Sequence, residues 1–579
     1  MSNNKELQGR VCKHSNYSVS KRRNGFDLTC LKVTNVFKDG TRENKLIAIE
    51  NYKQPIWIVK PKYRTFKQYK DYIEEYKCRE YRTPRCRSGY TAKNQLFNNP
   101  DRKATERDAR STPFVFGVDQ TTCVHVKQRF FDKYQSTQET EPYTLAAYDV
   151  ETCMFDPDGP IIMASVSMKK KAYFAAVRSW FPDKDDETIL RKLKEAEDKW
   201  LRTHLDRREC VVEYELFDTA GQVAEANVKK FHEYNPDWVI SWNARYDMEK
   251  TEEALTKENY DLDDVYSDPS IPDEYKRYYF DKGRTHKVKE NGDKTSLEPQ
   301  EQFPVVKGMS GWQWFDGMSA YAIKRFAAGK LEKYSLEFIA EREGVPGKLY
   351  TEEGNHMGPG SPSWHRYMQK EYPYLYCMYN ICDNFAIEEI DEKSNDYSLT
   401  LPLLLGPSEL NDFVSQPRMI SNKLAFLCRD LKYVWGSTPA SRDMTIKNNL
   451  PTLDNWIALL DTEKNAEVGK PVFEGLADVI SQGRSDTSDI DVEGAYPTGG
   501  MTQNVSNKTT MLEAVQIQGA DPMKFREIAI NYTSSPEANA VQLSQDLFRF
   551  PGFKDMEQVF LDLVRLHGLE DELEKLKVV

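Results

Sequence analysis

Apolar, β-branched runs alternate with charged stretches along this chain, and their periods predict strands and helices in turn. Residues 44–62 (NKLIAIENYKQPIWIVKPK) carry two β-branched and aromatic runs, read as strands broken at Pro55 and ended at Pro61. A Tyr- and Lys-rich stretch from Lys67 to Tyr81 reads as helical, and the polar residues 88–112 as a long loop. Residues 143–151 (YTLAAYDVE) read as a buried strand ending in acids, with 161–167 (IIMASVS) as its hairpin partner. Residues 186–206 predict a charged amphipathic helix, and 223–234 another, followed by the strand Trp238–Trp242. Such alternation predicts an α/β layer with a mixed sheet. Asn291-Gly292 between polar, strand-compatible flanks is a hairpin-turn signal. From Leu331 to Glu389 the period is helical, with a loop at the glycines near 354–360. More helices are expected from 396 to 470, and the chain closes in a charged helical pattern over Asp555–Leu576.

Composition changes this picture little. Of 579 residues, 39% are hydrophobic and 30% charged, an ordinary globular balance. The length suggests roughly three or four domains. No run approaches the roughly 18 to 20 apolar residues that span a bilayer, and the polar start Met1–Arg10 has no apolar signal core. The ten cysteines include no CxxC pair, which excludes a zinc ribbon and fits reduced thiols in the cytoplasm.

Charge is more informative. The net −11 argues against a protein that simply coats nucleic acid. Residues 1–140, however, hold 29 Lys+Arg against 15 Asp+Glu, which leaves 51 and 76 of the totals 80 and 91 for the rest. A basic N-terminal segment on an acidic body can follow phosphates locally while the acidic part holds metal ions; a solvated basic surface is the plainer alternative.

The acids sit where phosphodiester chemistry would need them. Hydrolysis requires a nucleophilic hydroxide, a stabilised leaving oxygen and neutralised phosphoryl charge, which a pair of divalent cations can supply. Asp149 and Glu151 lie two apart at a strand end, so both side chains share a face. Asp247 follows the strand PDWVISWN within Asn243-Ala-Arg-Tyr246-Asp247. Tyr379 and Asp383 are four apart in a predicted helix, which puts phenol and carboxylate on one side. The hydroxyl could orient an attacking water while the acid holds a metal. Each fragment alone is common; their order and contexts together are specific.

In that order YDVET, WNARYD and YNICD resemble the three exonuclease motifs of family B DNA polymerases, closest to the T-even phage type. YSLEFIA at 334–340 and the segment near Asp316 resemble connecting parts of that family. The resemblance implies a ribonuclease H-like exonuclease domain with a mixed sheet, a mixed α/β N-terminal domain and the start of a polymerase palm. It makes Asp149, Glu151, Asp247 and Asp383 the metal-binding and catalytic acids, with Tyr379 orienting water. Asn243 becomes a group that either supports the metal-binding acids or faces DNA, Tyr246 is a candidate substrate contact, and the Lys289–Lys294 hairpin resembles the element that parts primer end from template. Aromatics such as Tyr246, Trp242 and Phe385 are candidates to stack a frayed 3′ end, although burial in the core is the commoner fate of each such ring.

DVEGAYPT at 491–498 resembles the first palm motif of the same family. By that resemblance Asp491 binds both metals for nucleotide addition and Tyr496 packs under the incoming sugar. Gly494-Ala495 stands where the family carries Ser-Leu, which weakens the triphosphate contacts. Only 81 residues follow Thr498 (579 − 498), and neither the fingers motif nor the second palm carboxylate is found among them. The expected organisation is an N-terminal polymerase domain (1–140), an exonuclease domain (141–395), a helical connector (396–470) and a partial palm with a C-terminal helix (471–579).

The expected function is thus the 3′→5′ proofreading subunit of a two-chain replicative polymerase in the host cytoplasm. Magnesium is the expected metal, with manganese as substitute. DNA, dNTPs, a second chain bearing fingers, remaining palm and thumb, and a sliding clamp are the expected partners. A free-standing exonuclease with a vestigial palm and a non-catalytic DNA-binding scaffold are the alternatives.

Overall fold

The computed structural model describes residues 6–22, 25–64, 70, 72–98, 103–169, 171–204, 210–288, 292–326, 329–439, 515–517, 565, 568 and 576–578. The chain divides into two compact units, Met1–Lys447 and Asn448–Val579. In the second, Val515–Ile517 pairs antiparallel with Leu576–Val578. Asp491 and Tyr496 lie outside the described residues, as does most of the expected closing helix.

The first unit is mixed α/β. Its largest sheet has eight strands in the order Val211–Phe217, Lys171–Val177, Ile161–Met168, Leu145–Thr152, Trp238–Ser241, Gln313–Asp316, Val305–Gly308, Tyr278–Asp281. Leu145–Thr152 runs antiparallel to Ile161–Met168 and parallel to Trp238–Ser241, which is parallel in turn to Gln313–Asp316. Both faces are covered. Helices Asp186–Ala196 and Pro373–Ser394 pack on one side against Met163 and Phe174. Helices Ala220–Tyr234 and Ala244–Lys257 pack on the other against Tyr148, Val166 and Trp314. Double coverage explains why Ile161–Met168 reads as a continuous buried run instead of an alternating one.

Ahead of this sheet, Leu7–Val19, Asp27–Phe37 and Arg42–Glu50 form an antiparallel meander. Lys53–Val59 pairs with Cys78–Pro84 and Val115–Phe116. The expected break at Pro55 does not occur. Val115–Phe116 pairs only with Trp57 and Ile58, so Pro55 lies beyond that short partner and costs it no ladder bond. The stop at Pro61 does occur, as a short 3-10 turn over Pro61–Tyr63.

Other expectations need correction. The stretch read as a helix, Lys67–Tyr81, holds the strand Tyr72–Glu74 and the start of Cys78–Pro84; the Tyr and β-branched side chains pair across strands. The loop expected over 88–112 contains helices Ser88–Phe97 and Glu106–Ser111. Thr105 and Asp108 close a reciprocal capping box that starts the second. The helix expected over 186–206 is helical up to Ala196, then widens into a π turn at Glu197–Leu201.

Within the first unit, buried charge joins the expected N-terminal and exonuclease segments. Asp237 sits 3.0 Å from Lys32 Nζ and 3.8 Å from Lys13 Nζ, all three nearly inaccessible. Lys32 also donates to the carbonyls of Asn235 and Pro236, and Asp237 accepts from the Thr144 amide at 2.7 Å. Although burial opposes it, these cations hold the Asp237 carboxyl down to about 2. Among the described residues, no helix is long and apolar enough to cross a membrane.

Candidate active site

Sheet direction brings the acids together. Parallel neighbours end on the same edge, and in open α/β sheets the crevice beyond the carboxyl ends is where ligands bind. Asp149 and Glu151 occupy the last half of Leu145–Thr152, opposite Ser165 and Met163 of the hairpin partner. Val150 between them is buried, while the two acids keep partial access to solvent. The period-two expectation therefore holds.

Trp238–Ser241 lies beside the same strand, and Ser241 Oγ donates to the Tyr148 carbonyl at 2.6 Å. The chain then reverses at Asn243, whose φ of 63° is left-handed, and enters helix Ala244–Lys257. One turn on, Asp247 is buried, and its Oδ1 accepts the Val150 amide at 3.4 Å. The reversal is fixed from beneath by Asp316, which accepts from Ala244 N at 3.1 Å and from Ser319 Oγ at 2.5 Å. Asp316 also accepts from the Met318 and Ser319 amides, so this acid is wholly occupied in capping.

Helix Pro373–Ser394 supplies the fourth acid. A polar seam holds it in register against Ile161–Met168. Ser165 Oγ donates to Asn380 Oδ1 at 2.6 Å, Asn384 Nδ2 donates to the Ser165 carbonyl at 2.8 Å, and Ser167 Oγ donates to Glu388. Asn380 then gives its amide to Asp149 Oδ2 at 2.6 Å, and Tyr376 gives its hydroxyl to Glu151 Oε2 at 2.5 Å. Tyr379 and Asp383 do share a side of this helix, and they meet on one cation. Lys348 Nζ donates to the Tyr379 hydroxyl at 2.7 Å and is ion-paired with Asp383.

The electrostatics follow from four carboxylates facing one ammonium. Burial raises Asp149 well above the usual carboxylate range, and Asp247, Glu151 and Asp383 raise it further. Burial likewise raises Asp247, with Glu151 and Asp316 adding to the effect. Glu151 is pushed up to about 7, chiefly by burial and then by Asp383, although the Tyr376 hydrogen bond and Lys348 oppose this. Asp383 is also raised by burial despite its lysine, and Lys348 is raised in return by Asp383 and Asp149.

A hard divalent cation suits such a set. The donors are all carboxylate oxygens, as magnesium prefers, and their mutual repulsion is only partly met by Lys348. Asp383 Oδ1 is moreover buried with no hydrogen-bond partner. In the present geometry, among the described residues, no group of three or more His, Cys, Asp or Glu side chains closes on one metal position.

The other expected contacts divide. Asn243 is exposed. Tyr246 is 44% exposed, and its hydroxyl shares a 2.7 Å hydrogen bond with Thr152 Oγ1. Trp242 is partly buried and donates to the Tyr334 carbonyl at 2.8 Å. Phe385 is not available for stacking: it is fully buried in the core under the helix. The hairpin signal holds, with His286–Val288 paired to Lys294–Ser296 and every side chain of those two strands exposed.

Sequence reasoning missed Lys348, Tyr376 and Asn380. Tyr376, Asn380, Asn384 and Glu388 recur every four residues, and a buried polar stripe of that period was the available signal. Lys348 lies between helices with no pattern around it. No protein-family model and no curated protein matches the chain.

Proposed function

We propose that this chain carries the 3′→5′ exonuclease of a family B DNA polymerase of the T-even phage type, on a ribonuclease H-like fold. The observation that carries the reading is the convergence of four acids from separate motifs, Asp149 on Asn380, Glu151 on Tyr376, Asp247 on the Val150 amide and Asp383 on Lys348, beside the Tyr379 hydroxyl. The strand order supports the fold: the antiparallel meander Leu145–Thr152, Ile161–Met168 and Lys171–Val177 is continued beyond Leu145–Thr152 by two parallel strands, with the acids at the carboxyl edge.

Asp149, Glu151, Asp247 and Asp383 would hold the metal pair, which when bound supplies the hydroxide and neutralises phosphoryl charge. Asn380 and Tyr376 orient the two strand acids. Tyr379, held by Lys348 on one side, presents its hydroxyl where a water could be aligned. Tyr246 offers an exposed ring at the entrance for the base of a frayed end. The expected roles of Asp491 and Tyr496 in DNA synthesis with a second chain concern residues outside those described.

Polarity is the test. A single strand labelled at its 5′ end should give a ladder of shortened products in magnesium. The same strand labelled at its 3′ end should release labelled mononucleotide from the first turnover. Internal cuts, or release from the 5′ end, would refute the proposal.

A further inference from the structure

Tyr376 sits one helical turn before Tyr379, completely buried, its ring stacked on that of Tyr379 with centroids 5.7 Å apart and planes 9° from parallel. Its oxygen lies 2.7 Å from His365 Nδ1 and 3.4 Å from Gln369 Nε2. A phenol has one proton. The Gln369 Nε2 amide can only donate, and Glu151 in the ionised form that would bind a cation can only accept, so in that form the phenol proton goes to Glu151 Oε2 and His365 donates from Nδ1. Gln369 is fixed as well: Nε2 donates to the Thr152 carbonyl at 2.8 Å, and Oε1 accepts from Met154 N at 3.0 Å. The network is thus anchored on the strand end that carries Glu151. Four residues along the same helix, Asn380 does the equivalent for Asp149.

We infer that Tyr376, backed by His365, is a positioning residue that fixes one oxygen of Glu151 so that the carboxylate is set to receive a divalent cation. The inference rests on the exonuclease reading for the purpose of that cation, but the hydrogen bonds do not depend on it. Partners that orient metal-binding side chains typically contribute about 10- to 100-fold in metal affinity or activity.

The experiment uses the full chain and two readouts: Mn²⁺ binding followed by electron paramagnetic resonance without DNA, and single-turnover excision from a single strand. Tyr376→Phe keeps the stacked ring and removes only the hydroxyl. It should bind Mn²⁺ about 10-fold more weakly and excise about 10- to 100-fold more slowly, with KM for DNA unchanged. His365→Ala should lose affinity in the same direction and to a smaller extent. Wild-type Mn²⁺ affinity in Tyr376→Phe overturns the inference. If that variant does not fold, His365→Ala decides: weaker binding supports the inference, and unchanged binding overturns it. A wild-type chain that binds Mn²⁺ but excises nothing would sink the exonuclease reading and leave Tyr376 to be judged on Mn²⁺ alone. A wild-type chain that binds no Mn²⁺ would overturn both.

Discussion

Lys348 Nζ stands 2.7 Å from the Tyr379 hydroxyl while the same ammonium is paired with Asp383. Among the described residues, the one ammonium paired with Asp383 is thus also what fixes the phenol. Lys348→Met keeps the length of the side chain and removes both interactions. Excision should slow by about 10- to 100-fold, with little change in KM for single-stranded DNA. A variant with wild-type turnover would show that the lysine only balances charge.

The acid cluster also predicts a pH dependence of stability. Glu151 holds its proton up to about 7 in the folded chain, against an ordinary 4.5. Between those values the folded state binds more protons than the unfolded one, so stability falls as pH rises through that window. The metal-free chain should therefore melt lower at pH 8 than at pH 5. Glu151→Gln should bring the pH 5 and pH 8 midpoints closer together than in the wild type. Magnesium should raise the midpoint more at pH 8 than at pH 5. Equal slopes with and without Glu151 in a melting series would contradict this.

Buried charge near Asp237 gives a third prediction. Asp237→Asn leaves Lys32 and Lys13 buried without their carboxylate. Removing one partner of a buried ion pair costs about 3–5 kcal/mol, which denaturant titration would read as a lower midpoint. No loss of stability would mean that the carbonyls of Asn235 and Pro236 satisfy Lys32 unaided.

Much of the site was legible because it depends on short-range geometry. Two acids two apart on a strand must share a face, and Tyr379 and Asp383 four apart must share a helix side. Both hold. Asp247 needed one further step, the parallel pairing that sets Trp238–Ser241 beside Leu145–Thr152. Lys348 was illegible because its partners lie 31 and 35 residues away, beyond helix Pro362–Glu371, where no period applies. Phe385 takes the commoner fate of such a ring: its neighbours in sequence are site residues, while its own direction on the helix is into the core. The helices within 88–112 were hidden by polar composition, although Thr105-Glu-Arg-Asp108 carried a capping signal.

Tyr246 tests the entrance. Its ring is 44% exposed, and only the hydroxyl is tied down, on Thr152. Tyr246→Ala should raise KM for single-stranded DNA by about 5- to 100-fold, the range that a stacking contribution of about 1–3 kcal/mol implies. Tyr246→Phe should keep most of the affinity. If both variants bind DNA like the wild type, the 3′ end passes elsewhere.

The central claim is that the carboxylate cluster is a metal-dependent nuclease site, and Asp149 tests it most directly. Asp149 is held by Asn380, crowded by three other acids, and no cation is paired with it directly among the described residues. Purified wild type and Asp149→Ala would be incubated with a 5′-labelled single strand in magnesium and in chelator. The account predicts progressive shortening by the wild type in magnesium only, and none by the variant, with the two unfolding at similar temperatures. Equal shortening by the variant, or none by the wild type, would contradict it.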